Sequence, residues 1–323
     1  MWWLTWVACE LIVDFDPGET AGEDPSTTAQ TGDTGLPPVE GPFVVQGTEC
    51  SGFVPAAVTP TLPFAIDSTP LSGPVTFTGL ELEEFLFVAD ANVEITVGDV
   101  PGPRVTPPGE GTVVLADADD DQLFVVTFCA VENCEAFTLR VTVPAPIDRI
   151  IGATGTGGIT ITEAAITDVL VEANRGDVRV TGDTWGIFAA TLDGAVIVDA
   201  PSAQIVDLHT STGPLTMSGS ATTELCATSD LGDLDVTSSA SALVTLEATN
   251  GAITADLASR PQRLDLSIVV GSADVRLPGG AYDIELVSIP ESGLVLQGIE
   301  NEASAEAQIT GSSLGTGTIL RAR

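Results

Sequence analysis

The sequence predicts an all-β chain: a C-terminal β-solenoid of two-strand coils, 18–20 residues each, preceded by a small β-sandwich-like domain. Three observations point there. Gly and Pro are plentiful (33 and 21), Thr, Val and Ile abound and aromatics are only 5%, which is the usage of strands joined by tight turns. From about residue 150 a Gly recurs with apolar residues two and four positions on, at Gly157, Gly176, Gly194, Gly213, Gly232, Gly251 and Gly271, in steps of 19, 18, 19, 19, 19 and 20 residues. Seven residues before each of these stands an aliphatic side chain: Ile150, Val169, Ile187, Val206, Leu225, Val244 and Leu264.

The formal charge is −36, and all ten Lys-plus-Arg residues are Arg. Phosphate backbones are bound by neutralising them with basic side chains, so nucleic acid and anionic lipid headgroups are excluded as partners. Hydrophobic residues make up 44% of the chain, enough for a packed core, so the acidity belongs to a folded surface rather than to wholesale disorder.

Residues 1–9, MWWLTWVAC, are a short apolar run ending in Ala8 and Cys9. They resemble the end of a bacterial lipoprotein signal, which implies lipidation at Cys9 and export to the cell envelope or surface. Trp6 stands where such signals carry Leu, and no basic residue precedes the run; a true start upstream of Met1 would account for both departures. No later segment approaches the roughly 18 apolar residues of a spanning helix, so the membrane is expected only through a lipid anchor at Cys9. Residues 10–42 carry eight acids, no base and little to bury, and read as a disordered, self-repelling tether.

Residues 43–145 hold short alternating runs such as EFLFVA, VEITVG and LFVVTFC, separated by Pro, Gly and Asp turns every 8–12 residues. That spacing suggests the sandwich-like domain. Cys129 and Cys134 flank a four-residue turn between two strand-like runs, which suits a disulfide in an oxidising compartment; Cys50 could take either of them as partner. A zinc site is disfavoured, because there is no CxxC pair and the single His lies far off. Asp117, Asp119, Asp120 and Asp121 cluster at one turn and could offer oxygen ligands to Ca²⁺, although the Gly and closing Glu of an EF-hand loop are missing. The Pro-Ala-Pro at 144–146 marks the expected junction with the solenoid.

Over 146–323 each period reads as a strand, a bend at Gly and a second strand with alternate side chains inward, so that a coil buries its apolar side against its neighbours. After Gly271 the spacing lengthens to Gly293 and Gly317, and Gln297 and Arg321 fall at expected core positions, as in a terminal cap. The corners EANRGDVRV, TSDLGDLDV, EATNGAITADL and GSADVRLPGG resemble those of the bacterial "putative adhesin" β-solenoid domain family over about residues 150–323. That family offers no catalytic residues to carry over.

Laid out in register, the outward positions after the corner bring Asp235 and Asp274 two coils, roughly 10 Å, apart, wider than a glycosidase pair. On the other leg Asp207, His209 and Cys226 face outward together, a nucleophile constellation in type, but Cys226 and His209 fall diagonally about 8 Å apart, beyond hydrogen-bond reach. The expected function is therefore non-enzymatic: an envelope or surface lipoprotein whose solenoid binds or scaffolds, with a surface glycan or envelope protein as partner and no cofactor beyond that Ca²⁺. The alternative is a carbohydrate-active β-helix enzyme, a lyase or hydrolase of the envelope. Short coils, the lack of Lys and the lack of paired acids in register stand against it.

Overall fold

The computed structural model describes residues 70–119, 121–129, 137–288, 293–314 and 317–323. The signal-like segment with Cys9, the acidic linker 10–42, Cys50, Asp120 and Cys134 lie outside the described residues.

The first nine strands are β1 (Val75–Thr76), β2 (Glu84–Ala89), β3 (Asn92–Gly98), β4 (Arg104–Thr106), β5 (Thr112–Asp119), β6 (Gln122–Cys129), β7 (Thr138–Pro144), β8 (Ile147–Thr154) and β9 (Ile159–Arg175). There follow β10 (Val178–Asp193), β11 (Val196–Thr212), β12 (Leu215–Leu231), β13 (Leu234–Ser238), β14 (Leu243–Leu257) and β15 (Arg263–Leu277). The last are β16 (Gly280–Ser288), β17 (Leu294–Gln297), β18 (Ile299–Asn301), β19 (Gln308–Ser313) and β20 (Gly317–Ala322).

From β8 to β15 the coils stack in parallel as the periodicity demands. Val178 lies between Ile159 and Val196, and Ile187 between Val169 and Val206. The column from Ile150 to Leu264 is at most 1% exposed throughout. Each such aliphatic side chain contributes about 1.5–3 kcal/mol on burial, so every coil depends on the pair of coils that sandwich it.

The corner glycines do more than bend the chain. A Cβ on Gly194 would lie 2.2 Å from the Gly176 carbonyl oxygen, one on Gly213 2.1 Å from that of Gly194, and one on Gly271 1.8 Å from that of Gly251. The corners thus seat backbone on backbone, and the period in the sequence is the steric record of that contact. Inward hydroxyls satisfy the carbonyls there: Thr191 Oγ1 donates to Gly176 O at 2.9 Å and Thr210 Oγ1 to Gly194 O at 3.1 Å. Asp177 and Asp233, the acids that follow two of the corners, accept the backbone N–H of Ala195 and Ala252 in the next coil, each at 2.8 Å. Asn92 does the same for Gly158 at 2.8 Å.

Both ends differ from the expected arrangement. The described part of the sandwich-like stretch, residues 70–145, continues the same stack: β2 pairs in parallel with β8, and β3 with β9. The coil made by β6 and β7 lies on the far side of β2 and β3, so two consecutive coils are interchanged in space. Alternating apolar and polar residues describe a sandwich strand and a solenoid leg equally well, and this interleaving removes the regular period that would tell them apart. Pro144-Ala145-Pro146 is the crossover rather than a junction. It carries a cis Ala145–Pro146 bond, and the Ala145 N–H donates to Gly98 O of the bypassed coil at 2.9 Å. Antiparallel strands close this end, with β5 on β6, β4 on β7 and β1 on β4.

At the other end β19 and β20 slot between β15 and the coil of β16 and β17. Gly317 stands opposite Ser272 instead of Gly271, a slip of one residue. The inward residues are consequently Thr318 and Leu320, both buried, with Leu294 and Leu296 packed on the core beside them. Gln297 and Arg321 are register partners on the opposite face, so the apparent decay of the core columns is a shifted register.

Candidate functional site

The interchange of coils creates a surface feature that no contiguous stretch of sequence contains. An open groove of about 530 Å³ lies along one corner of the stack, lined by Asn92, Glu94, Thr160, Arg175, Asp177 and Asp193 among others. Asn92 and Glu94 come from β3, Thr160 from β9, and Arg175 and Asp177 flank the Gly176 corner. Arg175 and Asp193 face each other in register. Glu94 is held by Arg140 at 2.8 Å, both largely exposed, which ties the floor of the groove to β7 at little net energy. Hydroxyls, an amide, carboxylates and one guanidinium in an open polar trough are suited to a hydroxylated ligand held by many weak hydrogen bonds. Sequence reasoning missed these residues because β3 was assigned to another domain. The available signal was Arg175, a cation in the position before a corner glycine that Asp193, Thr212, Leu231, Asn250 and Val270 occupy in the coils that follow.

The outward constellation on the other leg is not a nucleophile. Asp207 and Cys226 are register neighbours, as expected, but both are fully buried, and Cys226 is disulfide-bonded, so it offers no thiolate. His209 lies beside Thr228; its Nδ1 is 2.7 Å from Thr228 Oγ1 and its Nε2 3.4 Å from Ser211 Oγ. Cys129 is disulfide-bonded too, and its expected partner Cys134 lies outside the described residues. Asp117 and Asp119 are exposed at the end of β5, where Asp119 is the register partner of Gln122 on β6. Asp117 Oδ1 accepts the Ala118 N–H at 3.0 Å, and Asp121 O accepts the Glu83 N–H at 2.8 Å. Among the described residues no group of three or more His, Cys, Asp or Glu could hold a metal ion.

Two carboxyls on the entry legs are perturbed. Burial pushes Glu172 above the usual carboxylate range, and burial also raises Asp168, against the attraction of Arg149 and with the repulsion of Asp148. Asp168 Oδ1 is buried with no hydrogen-bond partner among the described residues. A carboxyl that holds its proton more tightly folded than unfolded favours the folded state at low pH and loses that advantage as pH rises through its raised pKa. Glu172→Gln is therefore expected to raise the denaturation midpoint at pH 7 and to flatten the fall in stability that begins near pH 4.5. Urea titrations of both proteins from pH 4 to 7 check this; an unchanged pH profile would show that Glu172 is not the group responsible.

The model of a known family, Toastrack DUF4097, matches residues 75–313. The chain belongs to the Toastrack family. The Toastrack match begins in β1 and ends in β19, so it takes in the interchanged N-terminal coils together with the regular ones. Among solved structures, this Toastrack chain is similar to an adhesin-named protein from Bacteroides fragilis at 13% identity, over 78% of this chain and 98% of that one, with a TM-score of 0.39. A protein from Parabacteroides distasonis named as lipid binding matches at 16% identity, over 79% and 98%, with a TM-score of 0.46. An adhesin-named protein from Parabacteroides merdae matches at 12% identity, over 77% and 95%, also at 0.46. No curated protein matches the chain.

Proposed function

We propose that this Toastrack chain is a non-enzymatic surface protein, lipid-anchored through Cys9 to a bacterial envelope, whose solenoid binds a surface glycan along the groove at Arg175. The groove's geometry carries the reading: a polar trough of about 530 Å³, built from three separate parts of the chain (Asn92 to Glu94, Thr138, and residues 156–193) and open to solvent, with a single guanidinium among its lining residues. The outward faces beside it are flat rows of Thr, Asp and Arg spaced at the strand repeat, a surface for contact rather than for chemistry.

A glycan array probed with the full chain, followed by a turnover assay on every hit, tests this. Binding that falls by about tenfold or more in Arg175→Glu, with no reducing end or unsaturated sugar released, is the expected result. Released product on any bound glycan contradicts the non-enzymatic assignment, and binding indifferent to Arg175 contradicts the groove. Incorporation of a fatty-acid analogue that is lost in Cys9→Ser is expected for the anchor; label that persists in the variant rules it out.

A further inference from the structure

The two ends of the stack are finished differently. Antiparallel strands close the N-terminal end, whereas the C-terminal end is closed over one half only. There β18 lies beside the start of β16: the Glu302 N–H donates to Tyr282 O at 2.8 Å, the Ile284 N–H donates to Asn301 Oδ1 at 3.2 Å, and Tyr282 and Ile299 are buried. From Glu285 onward β16 pairs with β19 alone, and β17 pairs with β20 alone, among the described residues. Each of these strands therefore shows an unpaired backbone edge, the kind of surface on which another chain adds strands.

Apolar side chains follow the same edge. Leu286 and Leu296 pack on the core but are only half-buried, whereas Leu266 and Val275, two strands down the same columns, are 1 and 0% exposed. Nine large hydrophobic side chains are exposed among the described residues, and five of them belong to the last three coils: Val269, Val270, Val287, Val295 and Leu314, at 44, 56, 61, 41 and 52%. Apolar side chains gathered around an unpaired edge mark a contact surface.

Shape and charge select the partner. It has to offer two strand edges at once, one to each leg of the last coil, with an apolar layer between them, and the same end of a second copy does so. A two-fold axis through that end runs β16 against β16 and β17 against β17 in antiparallel fashion, so both sheets continue from one copy into the other. With the axis at Leu286, Glu285 of one copy stands opposite Val287 of the other and does not face an acid. Residues 260–323 hold five Arg against eight acids, a net −3, while the other 259 residues carry the remaining −33. Two copies of so acidic a chain meet with least repulsion at this end.

We propose that the C-terminal end, formed by β16 and β17, is a two-fold interface through which two copies of the chain join end to end. Seven strand steps separate β9, which lines the groove, from β16, so the two Arg175 grooves of the dimer stand roughly 70 Å apart on one continuous stack.

Sedimentation velocity of the full chain, at concentrations up to about 100 µM, is the test. A monomer–dimer equilibrium is expected, with more dimer at about 0.3 M than at about 0.02 M NaCl, because salt screens the repulsion between the two acidic copies. The double substitution Val287→Lys and Val295→Lys is expected to weaken association by about tenfold or more, and Leu231→Lys, an equally exposed site in a regular coil, to leave it unchanged. A chain that stays monomeric, or a dimer indifferent to the double substitution, overturns the proposal, as does equal weakening by Leu231→Lys. Val287→p-benzoylphenylalanine tests the geometry in an otherwise unaltered chain: photo-crosslinks to β16 or β17 of a second copy are expected, and crosslinks confined to other segments overturn it.

Discussion

Gly213→Ala is expected to destabilise the protein by about 2–4 kcal/mol, a large share of the stability of an ordinary domain. The added Cβ would stand 2.1 Å from the Gly194 carbonyl oxygen and 2.7 Å from its carbon, on a backbone with φ of +141°. Neither atom belongs to a side chain that can swing away. Gly194 is itself seated on Gly176, so relieving the clash means separating whole coils or rebuilding the corner. Gly98→Ala is the control: a Cβ there meets nothing within 4 Å, and a change within about 0.5 kcal/mol is expected. Urea unfolding of the two variants should separate them clearly, with a lowered midpoint for Gly213→Ala alone. Equal effects would mean that the corner contact is not what sets the period.

Removing residues 1–145 is expected to leave an insoluble or loosely packed fragment. β8 and the first leg of β9 pair with β2 and β3, so the cut would strip a full parallel edge and uncover Ile150, Ile159 and Ile161 from one side. Repeat stacks need their terminal caps for solubility, and the antiparallel strands β1, β4 and β5 that close this end would be lost with it. Size-exclusion chromatography and circular dichroism of residues 146–323 beside the full chain read the outcome. A monomeric 146–323 fragment as stable as the longer chain would show that the expected junction near residue 145 is a true domain boundary.

The legibility of this fold in its sequence follows from where one repeat is spelled out without interruption. Between Ile150 and Gly271 each coil is continuous in the chain, so the glycine spacing and the aliphatic columns give the register, and Val178, Val196 and Leu215 stand opposite one another as the spacing requires. At the ends, consecutive coils trade places. β2 and β3 must wait for β8 and β9 before their inner edge is paired, and no local pattern reports a partner more than 60 residues away. At Gly317 a one-residue slip was enough to move Arg321 onto an apparent core position that Leu320 in fact fills.

The groove was hidden for the same reason as the first coils, since Glu94 and Arg175 line one groove only after that interchange. Asp177 and Asp233, which follow two of the corner glycines, bridge one corner to the next. Cys226 read as an outward-facing thiol because alternation placed it there, whereas it is buried and disulfide-bonded.

A single uninterrupted stack running from the β2–β3 coil through the regular repeats is best tested by distances counted in coils. Glu94, Asp235 and Thr254 are exposed and share one outward column, with five strand steps from Glu94 to Asp235 and six to Thr254. Nitroxide labels carried on a non-cysteine amino acid, placed pairwise at 94 and 235 and at 94 and 254, should give narrow distributions near 24 and 29 Å, about 4.8 Å per step. Broad distributions, or means that do not increase by one strand spacing between the two pairs, would show that residues 84–144 form a body separate from the solenoid.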